Sequence, residues 1–348
     1  MQATHRLREP RRLAVVGAGS WGTALAYHLA KNDLEVDLWV YESEVYEEIK
    51  SHRENLTYLP GVHLNDSVRP YRSIEQVVRG KSVVVLVVPS HVMREVLSRM
   101  VRYIEPGAIL VSASKGIEND TLMTMSQVLE DVLPDNLAYH RAVLVGPSFA
   151  REVGRDMPTA ITLACLDHSA SRLVQGQFAS PCMRVYTSQD LVGVELGGAL
   201  KNVFAIGTGI SDGLGMGNNA RAALITRSLA EMVRLGVKMG ANPLTFMGLA
   251  GLGDLVLTCT GDLSRNRTVG FKLGQGQRLN DILSEMKMVA EGVKTTKAAY
   301  DLAKREAVDM PVTEQIYKIL YEDKDPQTCL LELMTRHLKD EIDRALAI

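Results

Sequence analysis

Short apolar runs alternate with helical spacing along the first half of the chain. The runs are Leu13–Val16, Val36–Val40, Val83–Val88, Ile109–Ala113, Ala142–Val145 and Ala160–Ala164. Strands that are buried on both faces lose the alternation of polar and apolar residues, so these runs predict a parallel sheet. The intervening stretches Trp21–Lys31 and Met93–Val101 have helical spacing and predict crossover helices. The pattern, which continues to about Tyr186, is typical of a doubly wound α/β domain.

Beyond about Asp190 no further strand runs occur, and helical spacing takes over. The predicted helices are Val194–Ile210, Ala220–Met239, Val293–Glu306 and Thr313–Tyr321, with glycine-rich breaks at Ser211–Gly217 and Gly248–Gly253. Pro243 and Pro311 stand where the start of a helix tolerates proline. We therefore expect two domains, an α/β domain over residues 1–190 and an all-helical domain over residues 191–348.

Composition and charge exclude several classes of protein. The 348 residues are 46% hydrophobic and 23% charged, and 39 basic against 41 acidic residues give a formal net charge of −2. This balance gives no support to nucleic-acid binding, which needs a concentrated basic face. The polar, basic segment Met1–Arg12 has no apolar core of signal-peptide length. No window approaches the roughly 18 uncharged apolar residues of a membrane span, so we expect neither a nucleic acid nor a membrane as partner.

The cysteines and histidines predict no metal site. Cys165, Cys182, Cys259 and Cys329 lie far apart, without a Cys-x-x-Cys pair, and the eight histidines are scattered. This spacing argues against zinc and against a disulfide framework, and it favours a reducing cytoplasm.

A glycine-rich turn follows the first apolar run. Gly17, Gly19 and Gly22 form a G-x-G-x-x-G pattern between a predicted strand and a predicted helix, which is the context that a dinucleotide-binding turn requires. The first glycine allows the tight turn, the second lets the pyrophosphate approach the backbone, and the third lets the helix pack closely. The helix N-terminus then faces the phosphates. The pattern predicts a Rossmann-type domain that binds NAD or NADP.

The residues that end the second predicted strand bear on the choice of cofactor. Tyr41 and Glu42 occupy the point where the adenosine ribose is held. A carboxylate there favours NAD and repels the additional phosphate of NADP. Lys50 and Arg53 follow closely in sequence and could offset that charge. The sequence leaves the choice between NAD and NADP open.

Several further segments stand out by residue type. They are Ser112–Gly116, Gly146–Ala150, Glu195–Asn202, Gly251–Asp254 and Ser264–Arg267. Lys115 and Gly146 each follow the carboxyl end of a predicted strand, where open α/β sheets bind ligands. Lys201 lies inside an otherwise apolar helix, so its charged end either extends to solvent or serves a site.

These motifs, in this order over residues 13 to 335, closely resemble the soluble NAD(P)-dependent glycerol-3-phosphate dehydrogenase family of bacterial type. Met288–Val293 is similar to a late cofactor-contacting segment of that family. The resemblance implies the interconversion of dihydroxyacetone phosphate and sn-glycerol 3-phosphate, which supplies the backbone of phospholipids. Where many bacterial members carry a basic residue or histidine near the ribose, this chain has Tyr41-Glu42, which puts a preference for NADP in question. A homodimer is the expected assembly, since it is the commonest oligomer.

The resemblance also implies roles for individual residues. It makes Lys201 the catalytic proton donor or acceptor. The implied substrate contacts are Lys115, Gly146, Ser148, Lys201, Asp254, Ser264, Arg265 and Asn266. The implied cofactor contacts beyond the glycine turn are Ser20, Trp21, Lys115, Ala150, Arg265, Val289 and Glu291.

The chemistry suits these residue types. An ammonium group within hydrogen-bond reach stabilises the alkoxide that forms during reduction and then protonates it. In the oxidative direction the lysine must be partly neutral, and desolvation or a nearby cation would favour that form, whereas Asp254 would oppose it. Arg265 and Asn266, placed at a helix N-terminus after Ser264, would offer planar donors to a phosphate. For Ser264 alone, a plain helix cap is an equal alternative.

Two other functions fit parts of the sequence. One is another two-domain dehydrogenase that acts on a sugar acid or a β-hydroxyacid. Oxidation of a sugar nucleotide to an acid would need a catalytic cysteine, and Cys259 is the one cysteine near a candidate motif, where we expect it to be part of the core. The other alternative is a dinucleotide sensor without turnover, in which Lys201 and Asp254 would have no task.

Overall fold

The computed structural model describes residues 12–286, 290–338 and 340–341. One eight-stranded sheet contains the strands β1 Arg12–Val16, β2 Glu35–Trp39, β3 Val68–Tyr71, β4 Val83–Leu86, β5 Ala108–Ser112, β6 Tyr139–Val145, β7 Thr159–Cys165 and β8 Met183–Ser188. Their order across the sheet is β3-β2-β1-β4-β5-β6-β7-β8. The order reverses between β1 and β4, which is the point where open α/β sheets bind ligands.

The side chains of each strand divide between two apolar layers. On β1, Leu13 and Val15 belong to one buried cluster, whereas Ala14 and Val16 belong to the other. Both faces of the sheet are therefore covered, and this explains why the strands are apolar runs without polar alternation.

The helices that accompany the strands are α1 Ser20–Lys31, α2 Ser43–His52, α3 Ile74–Val78, α4 Met93–Met100, α5 Met125–Val132, α6 Ala150–Val153 and α7 His168–Phe178. The helices beyond the sheet are α8 Leu191–Gly213, α9 Gly217–Lys238, α10 Asp254–Thr260, α11 Arg265–Gly274, α12 Leu279–Glu285, α13 Glu291–Arg305, α14 Pro311–Tyr321 and α15 Pro326–Met334. Within the described residues no strand follows β8. The described residues form two compact units, one within 1–118 and 123–195 and the other within 119–122 and 196–348.

The doubly wound α/β domain followed by a helical region is confirmed, with two corrections to the sheet. Strand β7 runs antiparallel to β6, and β8 is parallel to β7. A short apolar run looks the same in either direction, so the sequence could not distinguish them. The edge strands β3 and β8 were not predicted from the sequence. The first contains Pro70, which a sheet tolerates only at an edge or a bulge.

One prediction about the helical half also needs correction. The glycine-rich segment Gly248–Gly253 is not a simple break, because Leu249–Gly253 forms a π-helical turn that leads directly into α10. By length and mean hydropathy α8 is comparable to a membrane span, but it contains Glu195 and Lys201, and 94% of its most apolar 18 residues are buried inside the protein. Such burial is that of a core helix.

Candidate active site

The glycine turn lies at the carboxyl end of β1 and opens α1. Gly17 adopts a φ of +115°, and a Cβ there would lie 2.9 Å from the carbonyl oxygen of Val87. A Cβ on Gly22 would lie 1.9 Å from the carbonyl oxygen of Gly17, so the third glycine lets the helix close onto the turn itself. A Cβ on Gly19, in contrast, would meet no atom within 4 Å. The middle glycine therefore borders open space in front of the helix.

The start of α1 suits an anion. Gly19 caps the helix without a side-chain hydrogen bond, and the first turn contains Ser20 and Trp21 but no acidic residue. The indole Nε1 of Trp21 is buried without a hydrogen-bond partner. Open space at Gly19 and the positive end of a helix are what a dinucleotide pyrophosphate needs. The residues present therefore fit the cofactor that the fold implies.

Lys115, Gly146 and Ser148 come together where β5 and β6 end. The Gly146 carbonyl accepts hydrogen bonds from Lys115 Nζ at 3.3 Å and from Ser148 Oγ at 2.9 Å. A side chain at Gly146 would press on β7, because a Cβ would lie 2.8 Å from Ile161 Cα. Lys115 Nζ also lies 6.0 Å from the centroid of the Trp21 ring. Ala150, a further predicted cofactor contact, begins the short helix α6 that follows.

Tyr41 and Glu42 lie beyond the end of β2, and both are exposed. Glu42 Oε1 accepts a hydrogen bond from the Tyr58 hydroxyl at 3.3 Å. Sequence reasoning missed Arg72, whose guanidinium donates to the Tyr41 carbonyl from the end of β3. Nothing in the sequence linked Arg72 to this point, because β3 itself was not predicted.

Arg53 and Lys50, named from sequence as possible counter-charges to Glu42, have other neighbours. The Arg53 guanidinium donates to the backbone carbonyls of Leu64, Asn65 and Val68. Lys50 Nζ lies 5.5 Å from the centroid of the Tyr46 ring. Arg72 is therefore the basic side chain that the described structure places at the Tyr41–Glu42 turn.

In the helical unit, Lys201 donates a hydrogen bond to Asp254 Oδ1. The side-chain exposure is 7% for Lys201 and 0% for Asp254, so the pair is almost removed from water. Thr258, one turn further along α10, donates to the Asp254 carbonyl at 2.6 Å and approaches Asp254 Oδ1 at 3.4 Å. A lysine inside an apolar helix thus has a buried carboxylate partner and does not extend to solvent.

Backbone packing explains how this pair is held. A Cβ on Gly197 of α8 would lie 2.3 Å from the Ala250 carbonyl oxygen in the π-helical turn. Glycine at this position therefore lets the turn lie directly against the helix that carries Lys201. The turn leads into α10, whose first residue is Asp254. The glycine-rich sequence Gly248–Gly253 serves close packing at the site.

Ser264 and Arg265 stand at the start of α11. Ser264 is the N-cap, and its Oγ accepts from the Arg267 amide at 3.2 Å, so this serine does cap the helix, and its contact with the substrate stays a prediction. Arg265 is exposed. Surrounding protein atoms remove part of its hydration and lower the pKa of its guanidinium, although the side chain still reaches solvent; the charge of Glu291 acts in the opposite direction. A guanidinium and a helix N-terminus without acidic residues together form a positive pole in this unit.

Asn266 connects three segments of the helical unit. Its Nδ2 donates to Asn202 Oδ1 at 2.9 Å, and its Oδ1 accepts from the Gly292 amide at 2.9 Å. A Cβ on Gly292 would lie 2.5 Å from the Asn202 carbonyl oxygen, so only glycine fits there. These contacts fix Glu291 at the first position of α13. The predicted cofactor contact Val289 lies outside the described residues.

Cys259 has the properties of a core residue. Its side chain is fully buried, and burial raises the pKa of the thiol to about 12. A thiol of that kind is neutral near neutral pH and is a poor nucleophile. In the described part of the chain, no group of three or more His, Cys, Asp and Glu side chains is placed to hold a metal ion.

Comparisons with known proteins identify the family. The model described as "NAD-dependent glycerol-3-phosphate dehydrogenase N-terminus" matches residues 12–171, and its C-terminal counterpart matches residues 190–331. Glycerol-3-phosphate dehydrogenase [NAD(P)+] of Geobacter sulfurreducens is 58% identical over 330 residues, which cover 95% of this chain and 98% of that protein. The corresponding protein of Geobacter metallireducens is 59% identical over 330 residues, again 95% of this chain and 98% of that one.

A solved structure agrees with the sequence comparisons. The crystal structure of glycerol-3-phosphate dehydrogenase from Coxiella burnetii matches with a TM-score of 0.91 at 40% identity, covering 94% of this chain and all of that one. A ketopantoate reductase from Ralstonia eutropha matches with a TM-score of 0.58 at 15% identity, which is a likeness of fold alone. The chain belongs to the NAD-dependent glycerol-3-phosphate dehydrogenase family.

Proposed function

We propose that this protein interconverts dihydroxyacetone phosphate and sn-glycerol 3-phosphate with NAD or NADP, and that Lys201 handles the proton. The observation that carries the proposal is the buried pair of Lys201 and Asp254 within a chain of this family. A sensor without turnover would have no use for a charged pair that is costly to bury. A sugar-nucleotide oxidation would need a reactive thiol, which Cys259 does not supply.

The bound nicotinamide supplies or accepts the hydride. During reduction, negative charge grows on the carbonyl oxygen of the substrate, and the Lys201 ammonium stabilises it and delivers the proton. Asp254 orients Lys201 through their hydrogen bond and favours its charged form. In the oxidative direction the same Nζ accepts the proton from the substrate hydroxyl.

The phosphate of the substrate is the proposed ligand of Arg265. A guanidinium offers two parallel donors to a phosphate, and the amides at the start of α11 add a positive pole. Ser264 supports that pole as its cap, and Asn266 supports it by tying α11 to α8 and α13. The remaining substrate contacts, Lys115, Gly146 and Ser148, and the cofactor contacts Ala150 and Glu291 stay predictions from the family resemblance.

Opposite charges at one turn support the use of both cofactors. The Glu42 carboxylate suits the ribose hydroxyls of NAD, and the nearby Arg72 guanidinium suits the additional phosphate of NADP. The Arg72 guanidinium already donates to the Tyr41 carbonyl, so it is less available to the additional phosphate of NADP. We therefore propose that the enzyme prefers NAD to NADP.

The setting of the reaction follows from the family. We propose that the product supplies phospholipid synthesis, that the enzyme is a homodimer, and that it works in the cytoplasm. The four cysteines are free thiols, as a reducing compartment would keep them.

The test is to follow the absorbance of NADH and NADPH separately, with dihydroxyacetone phosphate and with unphosphorylated dihydroxyacetone. We expect rapid oxidation of NADH, slower oxidation of NADPH and a strong preference for the phosphorylated ketone. A protein that binds NADH but leaves its absorbance unchanged with dihydroxyacetone phosphate would not have the proposed activity.

A further inference from the structure

Helices α8 and α11 touch backbone to backbone along a glycine seam. On α8, a Cβ at Gly209 would lie 2.2 Å from the Arg267 carbonyl oxygen. On α11, a Cβ at Gly270 would lie 2.0 Å from the Ile206 carbonyl oxygen. Gly213 and Gly274, one turn further on each helix, make the same kind of approach. The helix that carries Lys201 and the helix that begins with Arg265 are therefore packed with their backbones in direct contact.

A buried ion pair closes the same interface. Asp212, in the last turn of α8, has a side-chain exposure of only 5%. Its Oδ2 accepts from Arg267 Nε at 2.9 Å and lies 2.8 Å from Arg267 Nη2. Its Oδ1 accepts from Arg221 Nε at 2.8 Å and lies 2.7 Å from Arg221 Nη2. The carboxylate is thus held by two arginines, each through two nitrogens, a geometry with strong directional preference.

Asp212 and Arg267 each stand at a helix end where the helix dipole opposes their charge. A carboxylate in the last turn opposes the helix dipole, and so does a guanidinium in the first turn, where Arg267 is the third residue of α11. Pairing removes both penalties at once. A contact between two ill-placed, partly buried charges adds little to stability in general, so a role in fixing geometry is the better account of it.

We propose that Asp212 and Arg267 are positioning residues for the substrate phosphate. The inference rests on the proposed function of Arg265, which lies two residues before Arg267. Arg267 donates to Asp212 through Nε and Nη2 and to Asp262 through Nη1 at 3.1 Å, so all three of its guanidinium nitrogens are engaged. Arg265 is the exposed guanidinium of that turn, and it is the one that we assign to an anion. The bidentate pair also fixes the rotation and the height of α11 against α8, and with them the distance from Arg265 to Lys201.

The test compares two substrates in four variants. Asp212→Asn and Arg267→Lys weaken the Asp212–Arg267 ion pair, which we call the clamp, and Arg265→Ala removes the proposed phosphate ligand. Arg221→Met is the matched control, since it leaves the Asp212–Arg267 bonds in place. For each protein, kcat/KM is measured with dihydroxyacetone phosphate and with dihydroxyacetone. Inhibition of dihydroxyacetone turnover by inorganic phosphate gives a second measure of how tightly the proposed site binds phosphate.

We expect Asp212→Asn to lower kcat/KM for dihydroxyacetone phosphate by ten- to a hundredfold and to change that for dihydroxyacetone by less than threefold. Inhibition by phosphate weakens in the same variant, and Arg221→Met resembles the wild type in both measures. Equal losses of kcat/KM on both substrates would show that the clamp serves stability alone. An unchanged kcat/KM for dihydroxyacetone phosphate would also overturn the proposal. If Asp212→Asn does not fold, Arg267→Lys decides by the same ratio.

Different results would contradict the proposed function and the proposed role of the clamp. A wild-type protein without turnover of dihydroxyacetone phosphate contradicts the proposed function. A wild-type protein that strongly prefers dihydroxyacetone phosphate, with an unaltered ratio in Asp212→Asn and Arg267→Lys, contradicts only the role of the clamp.

Discussion

The ammonium group of Lys201 and the carboxylate of Asp254 form a hydrogen-bonded ion pair that is almost completely shielded from solvent. Each charge is tolerated there only because the other is present, since an unpaired buried charge costs several kcal/mol. Any test of the lysine's chemistry therefore also tests the stability of the pair, and the two effects have to be separated.

Replacing Lys201 with methionine removes the proposed proton donor. We expect kcat to fall by about a hundredfold to ten-thousandfold, the usual contribution of a positioned general acid. NADH binding, measured by its fluorescence, stays within a factor of a few, since the glycine turn is untouched. Lys238→Met, an exposed lysine on α9, is the matched control and keeps normal turnover.

A double variant separates chemistry from folding. Lys201→Met alone leaves Asp254 buried without its partner, which lowers the free energy of unfolding by roughly 3 to 5 kcal/mol. Adding Asp254→Asn removes the orphaned charge, so stability recovers while activity does not. Recovery of turnover together with stability would show that Lys201 acts only through the fold.

Sequence reasoning found the groups of this site but not their connections. The glycine turn could be predicted because its spacing follows a known motif. Lys201 could be predicted because a charged residue is unusual inside an apolar helix. Arg72 was not readable, because its relation to Tyr41 depends on pairing between β2 and β3. The seam of Gly209 and Gly270 was equally hidden, since glycine spacing along one helix does not say which helix packs against it.

The glycine turn allows cofactor binding to be separated from folding. Gly19→Ala adds a methyl group that meets no protein atom within 4 Å, at a residue with a φ of −68°. We expect its free energy of unfolding to change by less than about 1 kcal/mol, the cost of a poorer helix cap. The methyl group would occupy space in front of the helix, so the Kd for NADH should rise at least tenfold, about 1.4 kcal/mol.

The neighbouring variant Gly22→Ala should behave in the opposite way. Its Cβ would lie 1.9 Å from the Gly17 carbonyl oxygen, so the turn and the helix must move apart. We expect a loss of about 1 to 3 kcal/mol in the free energy of unfolding, the usual cost of overpacking. Gly176→Ala, at an exposed position in α7 without close neighbours, is the control and should be neutral or stabilising. Identical behaviour of Gly19→Ala and Gly22→Ala would contradict this division of roles.

Cofactor preference should respond oppositely to changes at Glu42 and Arg72. Glu42→Gln removes the charge that repels the additional phosphate of NADP, so the ratio of kcat/KM for NADPH to that for NADH should rise about tenfold, or 1.4 kcal/mol. Arg72→Ala removes the guanidinium at the same turn, and that ratio should fall. Glu44→Gln, an exposed glutamate in the first turn of α2, is the matched control. If the NADPH-to-NADH ratio of kcat/KM stays the same in all three variants, the adenosine ribose does not bind at this turn.

A buried carboxylate away from the reaction predicts how stability depends on pH. Glu231 of α9 accepts hydrogen bonds from the Val312 amide at 2.6 Å and from the Thr313 amide at 3.1 Å, and so caps α14. Burial raises its pKa to about 7, and these hydrogen bonds offset only part of the effect. The folded state therefore binds a proton more tightly than the unfolded chain, where the pKa of a glutamate is about 4.3.

The sign follows from this difference in proton affinity. The contribution of Glu231 to stability is complete below about pH 4.3 and is lost as the pH rises through 7, with a total of roughly 3 kcal/mol. Wild-type protein should thus lose roughly 2 to 3 kcal/mol more than Glu231→Gln between pH 5 and pH 8 in urea unfolding. Glu322→Gln, at the exposed C-terminal end of α14, is the control and should keep the wild-type dependence of stability on pH. If wild type and Glu231→Gln change in parallel over this range, Glu231 is already ionised at pH 5. The two amides and the Thr313 hydroxyl, which also donates to it at 2.9 Å, then outweigh the effect of its burial.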